Sequence, residues 1–373
     1  MNKSLMPKIR FKGFNDEWKK YKINEIYKLK RGCVISKEIL FKNKETNFFP
    51  VYSSQTSNNG IMGWTNIYLF EKNKIIWTTD GANAGTIRFV SENFYASNVC
   101  GVLIGKKDHY NNYSFAIAIS LEAKKHVNKN GNPKLMNNIM GNINFYNSKL
   151  KNEQTKIADF FTIIDRKIEL IKEQLNLLEK QKQYYLNNMF ANKKSYPKIR
   201  FKGFNNEWKS KKIKEILNYQ QPTKFIVKDK IENQGKIPVL TANKSFILGY
   251  ANEKNIYENI PVIIFDDFTM DMKYVNFKFM VKSSAIKILK SKTNNINLFY
   301  VFNLLKNLKL FSSDHKRYYI SYVSEINVLF PNINEQTKVA HFFTIIDRKI
   351  ELIKEQLSLL EKQKQYYLNN MFI

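Results

Sequence analysis

The sequence predicts an α+β protein with two globular domains of one fold. Each domain is followed by a long helix, and the two helices pair as an antiparallel coiled coil. Three observations predict this: an internal repeat, a heptad pattern in both closing segments, and mixed strand-like and helix-like stretches between them. The 373 residues suffice for two or three domains. Hydrophobic residues make up 43% of the chain, which allows each domain a buried core and excludes wholesale disorder.

An opening motif and a closing segment define the repeat. PKIRFKGFNDEW at residues 7–18 recurs as PKIRFKGFNNEW at 197–208, and the segment at 152–190 recurs at 334–372. The closing segments differ at only three of 39 positions, Ile157/Val339, Asp159/His341 and Asn176/Ser358. The predicted organisation is an opening motif with the first globular domain at 1–151, a helix at 152–190, a linker, second opening motif and second domain at 191–333, and a second helix at 334–373.

The two blocks between these segments are far less alike. FPVYSSQ at 49–55 corresponds to IPVLTAN at 237–243, and a second pair of similar runs lies at 74–80 and 262–267. Strand-like runs such as 75–79, 99–104, 262–265 and 285–289 alternate with turns, and the apolar stretch at 298–310 has helical length. We interpret both blocks as α+β domains of one fold with diverged surfaces.

The closing segments carry apolar residues at a strict 3.5-residue spacing, which is typical of a coiled coil. Asn152 and Asn334 are suitable N-caps for the two helices. The chain connectivity permits both helix orientations, and we favour the antiparallel one. The predicted helix-pair seam consists of Phe161, Ile164, Ile168, Ile171, Leu175 and Leu178 in the first helix and Phe343, Ile346, Ile350, Ile353, Leu357 and Leu360 in the second.

Two lysines interrupt the apolar seam. In an antiparallel pair, Lys182 and Lys364 fall near Asp347 and Asp165, respectively, so that each can form an ion pair that fixes the register. The alternative is that the aliphatic stem of each lysine lies along the seam while its ammonium group reaches water. The sequence leaves both interpretations open.

The charge distribution favours a polyanionic partner. Lys and Arg number 61 against 32 Asp and Glu, giving a net charge of +29. Residues 153–190 are neutral and residues 335–372 carry +1, which leaves +28 outside the helices. A uniform basic bias would spread the excess more evenly, so the globular domains are predicted to bind nucleic acid. The absence of a long apolar run, the polar N-terminus and the low cysteine content lead us to expect a cytoplasmic protein.

The helix length predicts how the domains meet DNA. A helix of 39 residues is about 58 Å long at ~1.5 Å per residue. Domains separated by most of that length contact duplex DNA roughly 12–15 base pairs apart. Since the helices are nearly identical and the domains have diverged, we expect an asymmetric bipartite target with an unread spacer.

The repeated motifs resemble those of a known family. P-x-I-R-F-x-G-F-x-x-x-W before each block and N-E-Q-T-K-I/V-A-x-F-F-x-x-I-D-x-x-I at each helix are similar to the specificity subunit of type I restriction–modification enzymes. The resemblance covers the whole chain. It implies two target-recognition domains, each reading one half of a split double-stranded DNA sequence, and paired helices that act as spacer and dock two modification (methyltransferase) subunits. It also implies restriction (translocase/endonuclease) subunits, with S-adenosylmethionine, ATP and Mg²⁺ bound by the partners and no cofactor bound by this chain.

Motifs of catalysis are missing from the sequence. It contains neither G-x-x-x-x-G-K-[ST] nor the N-P-P-[YF] motif that the resemblance associates with the methyltransferase partners. The four histidines have no metal-ligand spacing, and we predict no metal site. Asp266, Asp267 and Asp271 form an acidic cluster, for which surface carboxylates or a base-reading role are favoured over metal binding.

Residues that read the bases are expected in the loops at and after the two pairs of similar runs and in nearby basic segments. Groove contacts need polar side chains, and phosphate contacts need cations. For each of them an ordinary solvated loop residue is the alternative. In the first block the candidates are Ser53, Ser54, Gln55, Asn59, Thr79, Asn83, Arg88, Lys124, Lys125 and Lys129; in the second they are Thr241, Asn243, Lys244, Thr269, Lys273, Lys316, Arg317 and Tyr318.

The sequence therefore predicts a non-catalytic DNA-specificity subunit of a methyltransferase and endonuclease complex. The alternatives are a stand-alone sequence-specific DNA-binding regulator without enzyme partners and a self-contained nuclease, which the missing motifs oppose.

Overall fold

A computed structural model describes residues 5–191, 196–228, 230–243, 245–310 and 316–373. The chain divides into two compact units: a first unit of Met1–Lys172 with Gln356–Ile373, and a second unit of Glu173–Glu355. Each unit holds one globular domain and parts of both long helices. The unit boundaries therefore fall inside the helices.

The first globular domain combines strands with short helices. The elements in chain order are β1 (Lys19–Lys22), α1 (Ile23–Ile26), β2 (Tyr27–Arg31), β3 (Phe49–Tyr52), β4 (Ile61–Thr65), β5 (Lys74–Thr78), β6 (Ile87–Val90), β7 (Tyr95–Ala96), β8 (Cys100–Gly105), α2 (Tyr113–Ala123), α3 (Asn137–Asn142), β9 (Asn144–Asn147) and the long helix α4 (Lys151–Met189). A sheet in the order β2-β8-β5-β6 is antiparallel throughout, a smaller sheet has the order β4-β3-β7, and β1 pairs with β9.

The second globular domain repeats this topology. The elements are β10 (Lys209–Lys212), α5 (Ile213–Ile216), β11 (Leu217–Gln220), β12 (Ile237–Leu240), β13 (Ile247–Ala251), β14 (Val262–Asp266), β15 (Met272–Val275), β16 (Met280–Val281), β17 (Ile286–Ser291), α6 (Leu298–Asn307), β18 (Asn327–Phe330) and the long helix α7 (Ile333–Met371). Its sheets have the orders β11-β17-β14-β15, β13-β12-β16 and β10-β18. The α+β assignment and the shared fold are confirmed.

Alternation along the central strands builds the cores. In β5, Ile75 and Trp77 face the cluster that includes α2, whereas Ile76 packs with residues of the smaller sheet on the opposite face. In β14, Ile263 and Phe265 likewise share a cluster with α6. Since side chains of a strand point to alternate faces, one apolar run serves both layers.

The long helices begin slightly earlier than the sequence suggested. The predicted N-caps Asn152 and Asn334 lie inside the first turns of α4 and α7, so this prediction was wrong. Asn332 caps α7 instead, because its side-chain oxygen accepts a hydrogen bond from the backbone N–H of Glu335 (3.0 Å).

The two long helices run antiparallel in each unit. In the first unit Phe161 packs near Phe372 (ring centroids 5.9 Å apart), Lys364 pairs with Asp165, and Lys172 pairs with Glu361 (2.7 Å). In the second unit Glu179 pairs with Lys354 (2.7 Å), Lys182 with Asp347, and Tyr185 packs on Phe342 (4.9 Å). Rising numbers in α4 meet falling numbers in α7, so the antiparallel prediction is confirmed. Of the two interpretations of Lys182 and Lys364, the structure shows the ion pair.

The predicted seam residues lie along this contact. Phe161, Ile164, Ile168, Ile171, Leu178, Phe343, Ile346, Ile353 and Leu360 are buried, and Leu175, Ile350 and Leu357 are half-buried.

Each opening motif clamps the end of one helix to the start of the other. In the first unit the backbone N–H of Ile9 donates to Asn370 O (2.9 Å), and Arg10 donates two hydrogen bonds to buried Glu153 (2.6 and 2.8 Å). Hydrogen bonding to Glu153 raises the pKa of Arg10 above its usual value. The repeated motif and the Glu of N-E-Q-T-K are thus complementary halves of one contact.

The second unit repeats the clamp. The N–H of Ile199 donates to Asn188 O (2.9 Å), and Arg200 donates to buried Glu335 (2.7 and 2.8 Å). Glu335 also accepts from the indole N–H of Trp208 (3.1 Å). The identical residues of the two repeats therefore serve the same structural contact.

Among the described residues, we find no helix with the combination of length and apolarity that a bilayer crossing requires.

Candidate nucleic-acid interface

The candidate residues of the first domain collect at one edge of its main sheet. The strands of this sheet are antiparallel, so β2 and β5 end at the edge where β8 and β6 begin. The loop at 53–60 and the turn at 79–86 both lie at this edge.

Two side chains join these loops. Asn83 Nδ2 donates to Ser54 O (2.8 Å), and Arg88 Nη2 donates to Gln55 O (2.7 Å). Gln55 uses its amide N–H groups inside the loop, on Ile61 O (2.6 Å) and Ser57 O (3.3 Å). The loop is therefore held in one shape by contacts within the domain.

A third segment is tied to the same edge. Leu135 N–H donates to Thr79 O (2.8 Å), and Gly81 N–H donates to Pro133 O (2.9 Å). These bonds bring the segment at 124–136 to the turn after β5. Because the segment carries Lys124, Lys125 and Lys129 in exposed positions, it adds positive charge beside the polar loops.

The second domain brings the corresponding segments together. Thr269 Oγ1 donates to Asn243 Oδ1 (3.4 Å), which joins the loop at 241–246 to the turn after β14. Tyr318 N–H donates to Asp267 O (2.9 Å), and Arg317 lies over the ring of Phe268 (5.7 Å). The Tyr318–Asp267 bond is the counterpart of the Leu135–Thr79 bond, so the basic segment is held in the same way in both domains.

Strand register shows further equivalent positions. Arg88 faces Ile76 across β5 and β6, and Lys273 faces Ile264 across β14 and β15. The two cations therefore occupy the same place in the two sheets. Burial lowers the pKa of Arg88 from its usual value. Arg88 is thus a partly buried loop anchor in this structure.

The candidates differ in how far they reach the surface. Thr79 is buried and donates to Asp80 Oδ2 (2.6 Å), and Tyr318 is also buried. Lys244 lies outside the described residues. The exposed candidates are Asn59, Lys124, Lys125, Lys129, Asn243, Thr269, Lys316 and Arg317; the half-buried ones are Ser53, Ser54, Gln55, Asn83, Arg88, Thr241 and Lys273.

The acidic cluster is partly internal, which corrects the expectation of surface carboxylates for two of its members. Asp266 is buried and accepts from the N–H groups of Phe268 and Thr269 (both 2.9 Å). Asp267 is 1% exposed, pairs with equally buried Lys287 (3.2 Å) and accepts from Tyr319 N–H (2.8 Å). These carboxylates organise the turn and the basic segment. No group of three potential metal-ligating side chains occurs in the part of the chain that the structure describes.

The sequence reasoning missed Arg31, at the end of β2. Arg31 Nη2 donates to Asp80 (2.6 Å) and Nε donates to the backbone oxygen of Asn98 (3.0 Å). Both partners lie at the loop edge of the sheet. The sequence feature that could have identified Arg31 is its position as the last residue of an alternating strand run, directly before Gly32 and Cys33.

The geometry defines a class of protein: two related domains, each with polar loops and a basic segment at one sheet edge, attached to a paired-helix scaffold. The family model for the type I restriction modification DNA specificity domain matches the chain twice, at residues 15–180 and 205–362. The chain therefore belongs to the type I restriction–modification DNA specificity family.

Individual relatives agree with this membership. A putative type I specificity subunit of Mycoplasma pneumoniae is 28% identical over 362 residues, which cover 94% of this chain and 96% of that protein. A type I restriction enzyme specificity subunit of Escherichia coli is 41% identical over 167 residues, 41% of each chain. The crystal structure of a type I restriction–modification S subunit from M. genitalium has the same fold, with a TM-score of 0.76 at 18% identity and 99% coverage of both chains.

Proposed function

We propose that this chain recognises a bipartite, asymmetric double-stranded DNA sequence for a type I restriction–modification complex. Each globular domain reads one half of the target, and the paired helices set the length of the unread spacer. The observation that carries the proposal is that the two domains have equivalent sheet edges but different residues in the loops at those edges. Equivalent placement supports one mode of docking, and the different side chains support two different half-sites.

Positive charge supports DNA as the ligand. The helices are nearly neutral, so the net charge of +29 resides almost entirely in the remainder of the chain. Lys124, Lys125 and Lys129 in the first domain and Arg317 in the second are exposed cations on segments tied to the loop edge. Such cations position a protein on phosphates, while neighbouring polar loops supply base contacts.

The outer face of the long helices supports partner docking. Ile163 and Leu170 of α4 with Leu359 and Tyr366 of α7 are 47–68% exposed in the first unit. These residues recur every seven positions and lie outside the seam. A charged or polar residue is expected at an outer heptad position, so the apolar repeat indicates a covered surface.

The second unit presents the same set. Leu177 and Tyr184 of α4 with Ile345 and Leu352 of α7 are 47–65% exposed. Two equal surfaces fit two copies of one partner, and we assign them to two modification (methyltransferase) subunits. A shallow groove beside Leu177 is lined by Gln174, Leu178, Gln181 and Lys349.

Chemistry belongs to the partners in this proposal. The chain itself is non-catalytic and binds no cofactor, while the modification subunits carry S-adenosylmethionine and the restriction (translocase/endonuclease) subunits carry ATP and Mg²⁺. The proposal rests on the family membership and on the missing catalytic motifs in the sequence.

Sequencing methylated adenines in cells that express this chain with its modification subunit tests DNA recognition. We expect one bipartite motif with two unlike halves. Exchanging residues 27–151 for the block of a relative should change one half only. Changes in both halves, or a motif that does not depend on this chain, contradict the proposal.

Charge insertion on the helices tests docking. Leu170→Glu in the first unit should reduce the number of bound modification subunits from two to one, and the equivalent Leu352→Glu should act in the same way. The double variant should bind none. Gln183→Glu and Gln365→Glu, at exposed polar positions, serve as matched controls. Retention of both partners by the double variant contradicts the assignment of this surface.

A further inference from the structure

The guanidinium of Arg31 is held in a fixed orientation at the edge of the main sheet where the candidate loops of the first domain lie. Its Nη2 donates to Asp80 Oδ2 (2.6 Å), its Nε donates to Asn98 O (3.0 Å), and Nη1 touches Met136 Sδ (3.8 Å). Asp80 is itself fixed, because Thr79 Oγ1 donates to the same oxygen (2.6 Å). The plane and direction of the guanidinium are therefore determined before any ligand arrives.

The contacts leave part of the guanidinium available. Each terminal nitrogen, Nη1 and Nη2, carries two N–H groups. Among the described residues we find one contact for Nη1 and one for Nη2. The side chain of Arg31 remains 34% exposed. A second N–H on each terminal nitrogen can therefore donate to a pair of acceptors outside the protein.

We propose that Arg31 reads a guanine in the half-site recognised by the first domain. Guanine offers two neighbouring acceptors, O6 and N7, in the major groove, and an arginine fork is the usual donor to both. Asp80 and Asn98 act as positioning residues that hold the fork in place. The inference rests on the proposed function and adds a base to it.

Other cations at the edges have different surroundings. Arg88 donates to Gln55 O and is partly buried under the loop, so it serves as an anchor. In the second domain Lys287 is 1% exposed and pairs with Asp267, so it is not accessible to a base. The guanine contact proposed for Arg31 therefore has no counterpart at Lys287 of the second domain.

The test uses the full chain and a pool of duplex DNA with randomised bases. The wild-type protein should select two half-sites, one of which contains a guanine at a fixed position. Arg31→Ala should lower the preference for that guanine by roughly 5- to 150-fold, the range that corresponds to a bidentate contact. All other positions, including the second half-site, should keep their preferences. Asp80→Asn should weaken the same preference by a smaller factor.

Two further variants serve as controls. Arg166→Ala removes an exposed arginine that pairs with Glu169 (2.9 Å) on α4 and should leave every base preference unchanged. Arg31→Lys retains the charge and the aliphatic stem but lacks the fork. If Arg31→Ala fails to fold, Arg31→Lys decides the test, with its melting temperature as the folding control.

Three outcomes overturn the inference: no guanine preference falls, affinity falls uniformly across sequences with a smaller salt dependence, or only the second half-site changes. A uniform loss identifies a phosphate contact. If the wild-type chain selects no bipartite sequence at all, the proposed function fails, and this result is distinct from a wild-type motif that Arg31 does not affect.

Discussion

The two units hold the helix ends with the same contacts but complete their sheet edges with different ones. Arg10–Glu153 and Arg200–Glu335 are equivalent pairs in a repeated clamp. At the edges, the first domain has a half-exposed Arg31–Asp80 pair, whereas the second has the buried Lys287–Asp267 pair. The contact at the helix ends is thus common to both units, whereas the contact at the sheet edge is particular to each domain.

Packing explains part of this difference. Gly101 pairs with Trp77 in the first domain, and Lys287 occupies the corresponding position opposite Phe265 in the second. A Cβ atom at Gly101 would lie 2.2 Å from the indole of Trp77. The larger ring therefore excludes any side chain there, and the cation of the first domain is found on the neighbouring strand instead.

The largest expected effect comes from breaking the clamp. Arg10→Ala leaves Glu153 buried without its charged partner, which typically costs about 3–5 kcal/mol of stability. Arg200→Ala should cost less, because Trp208 still donates to Glu335, whereas Trp18 Nε1 has no partner among the described residues. Hydrogen exchange resolved by unit measures both losses. Equal losses would contradict the role assigned to Trp208.

Breaking the buried pair of the second domain should have the next largest effect. Lys287→Met leaves the carboxylate of Asp267 buried with only the hydrogen bond from the backbone N–H of Tyr319. The expected cost is about 3 kcal/mol of stability. The double variant Asp267→Asn, Lys287→Met removes both charges and should recover most of the loss, since no unpaired charge then remains buried. Chemical unfolding of all three proteins tests this. A double variant as unstable as the single one would show that the charge itself is required.

Features set by local pattern were predictable from the sequence. The helix pair follows from the heptads at Phe161 and Phe343, whereas its antiparallel orientation was a preference between two orientations that the connectivity permits. The shared fold follows from the two pairs of similar runs in the globular blocks. The position of the N-caps was wrong because Asn332 precedes the helix, while the sequence pattern directed attention to Asn334. Which of two nearby asparagines caps a helix depends on where the preceding strand ends.

The candidate interface was only partly predictable, because side-chain orientation depends on contacts between distant segments. The sequence favoured surface positions for Asp266 and Asp267, but the turn buries both. Arg31 was missed because its importance arises from Asp80 and Asn98, which the fold brings to it. Loop residues can be selected by type, but their accessibility requires the tertiary structure.

Titration and alkylation of the thiols report on the first unit alone, because both cysteines lie in it. Burial raises the pKa of Cys100 from 9 to about 11. The unfolded chain therefore loses this proton first, and the free energy of unfolding should fall between pH 9 and pH 11 by about 1.4 kcal/mol per unit of pKa difference at most. Thiol alkylation at pH 8 should modify exposed Cys33 quickly and Cys100 only after unfolding.

Cys100→Ser supplies the control for the titration. It should remove this part of the pH dependence and leave Cys33 reactive. Rapid alkylation of Cys100 in the folded protein would contradict its burial, and an unchanged pH dependence in Cys100→Ser would assign the effect to another group.

The smallest expected effect concerns the lysines in the helix seam. Lys182 and Lys364 are equivalent and partly exposed, and each pairs with an aspartate of the opposite helix. Asp165 also accepts a hydrogen bond from Tyr113, whereas Lys182 is the donor we find for Asp347 in the described chain. Lys364→Met should therefore cost less than Lys182→Met, with both losses within about 1 kcal/mol because the pairs are partly solvated. A Tyr113→Phe background should reduce the difference, since Asp165 then loses its second donor. Unit-resolved hydrogen exchange of the single and double variants measures the coupling. A difference that persists in this background would locate the asymmetry of the two units elsewhere than at Tyr113.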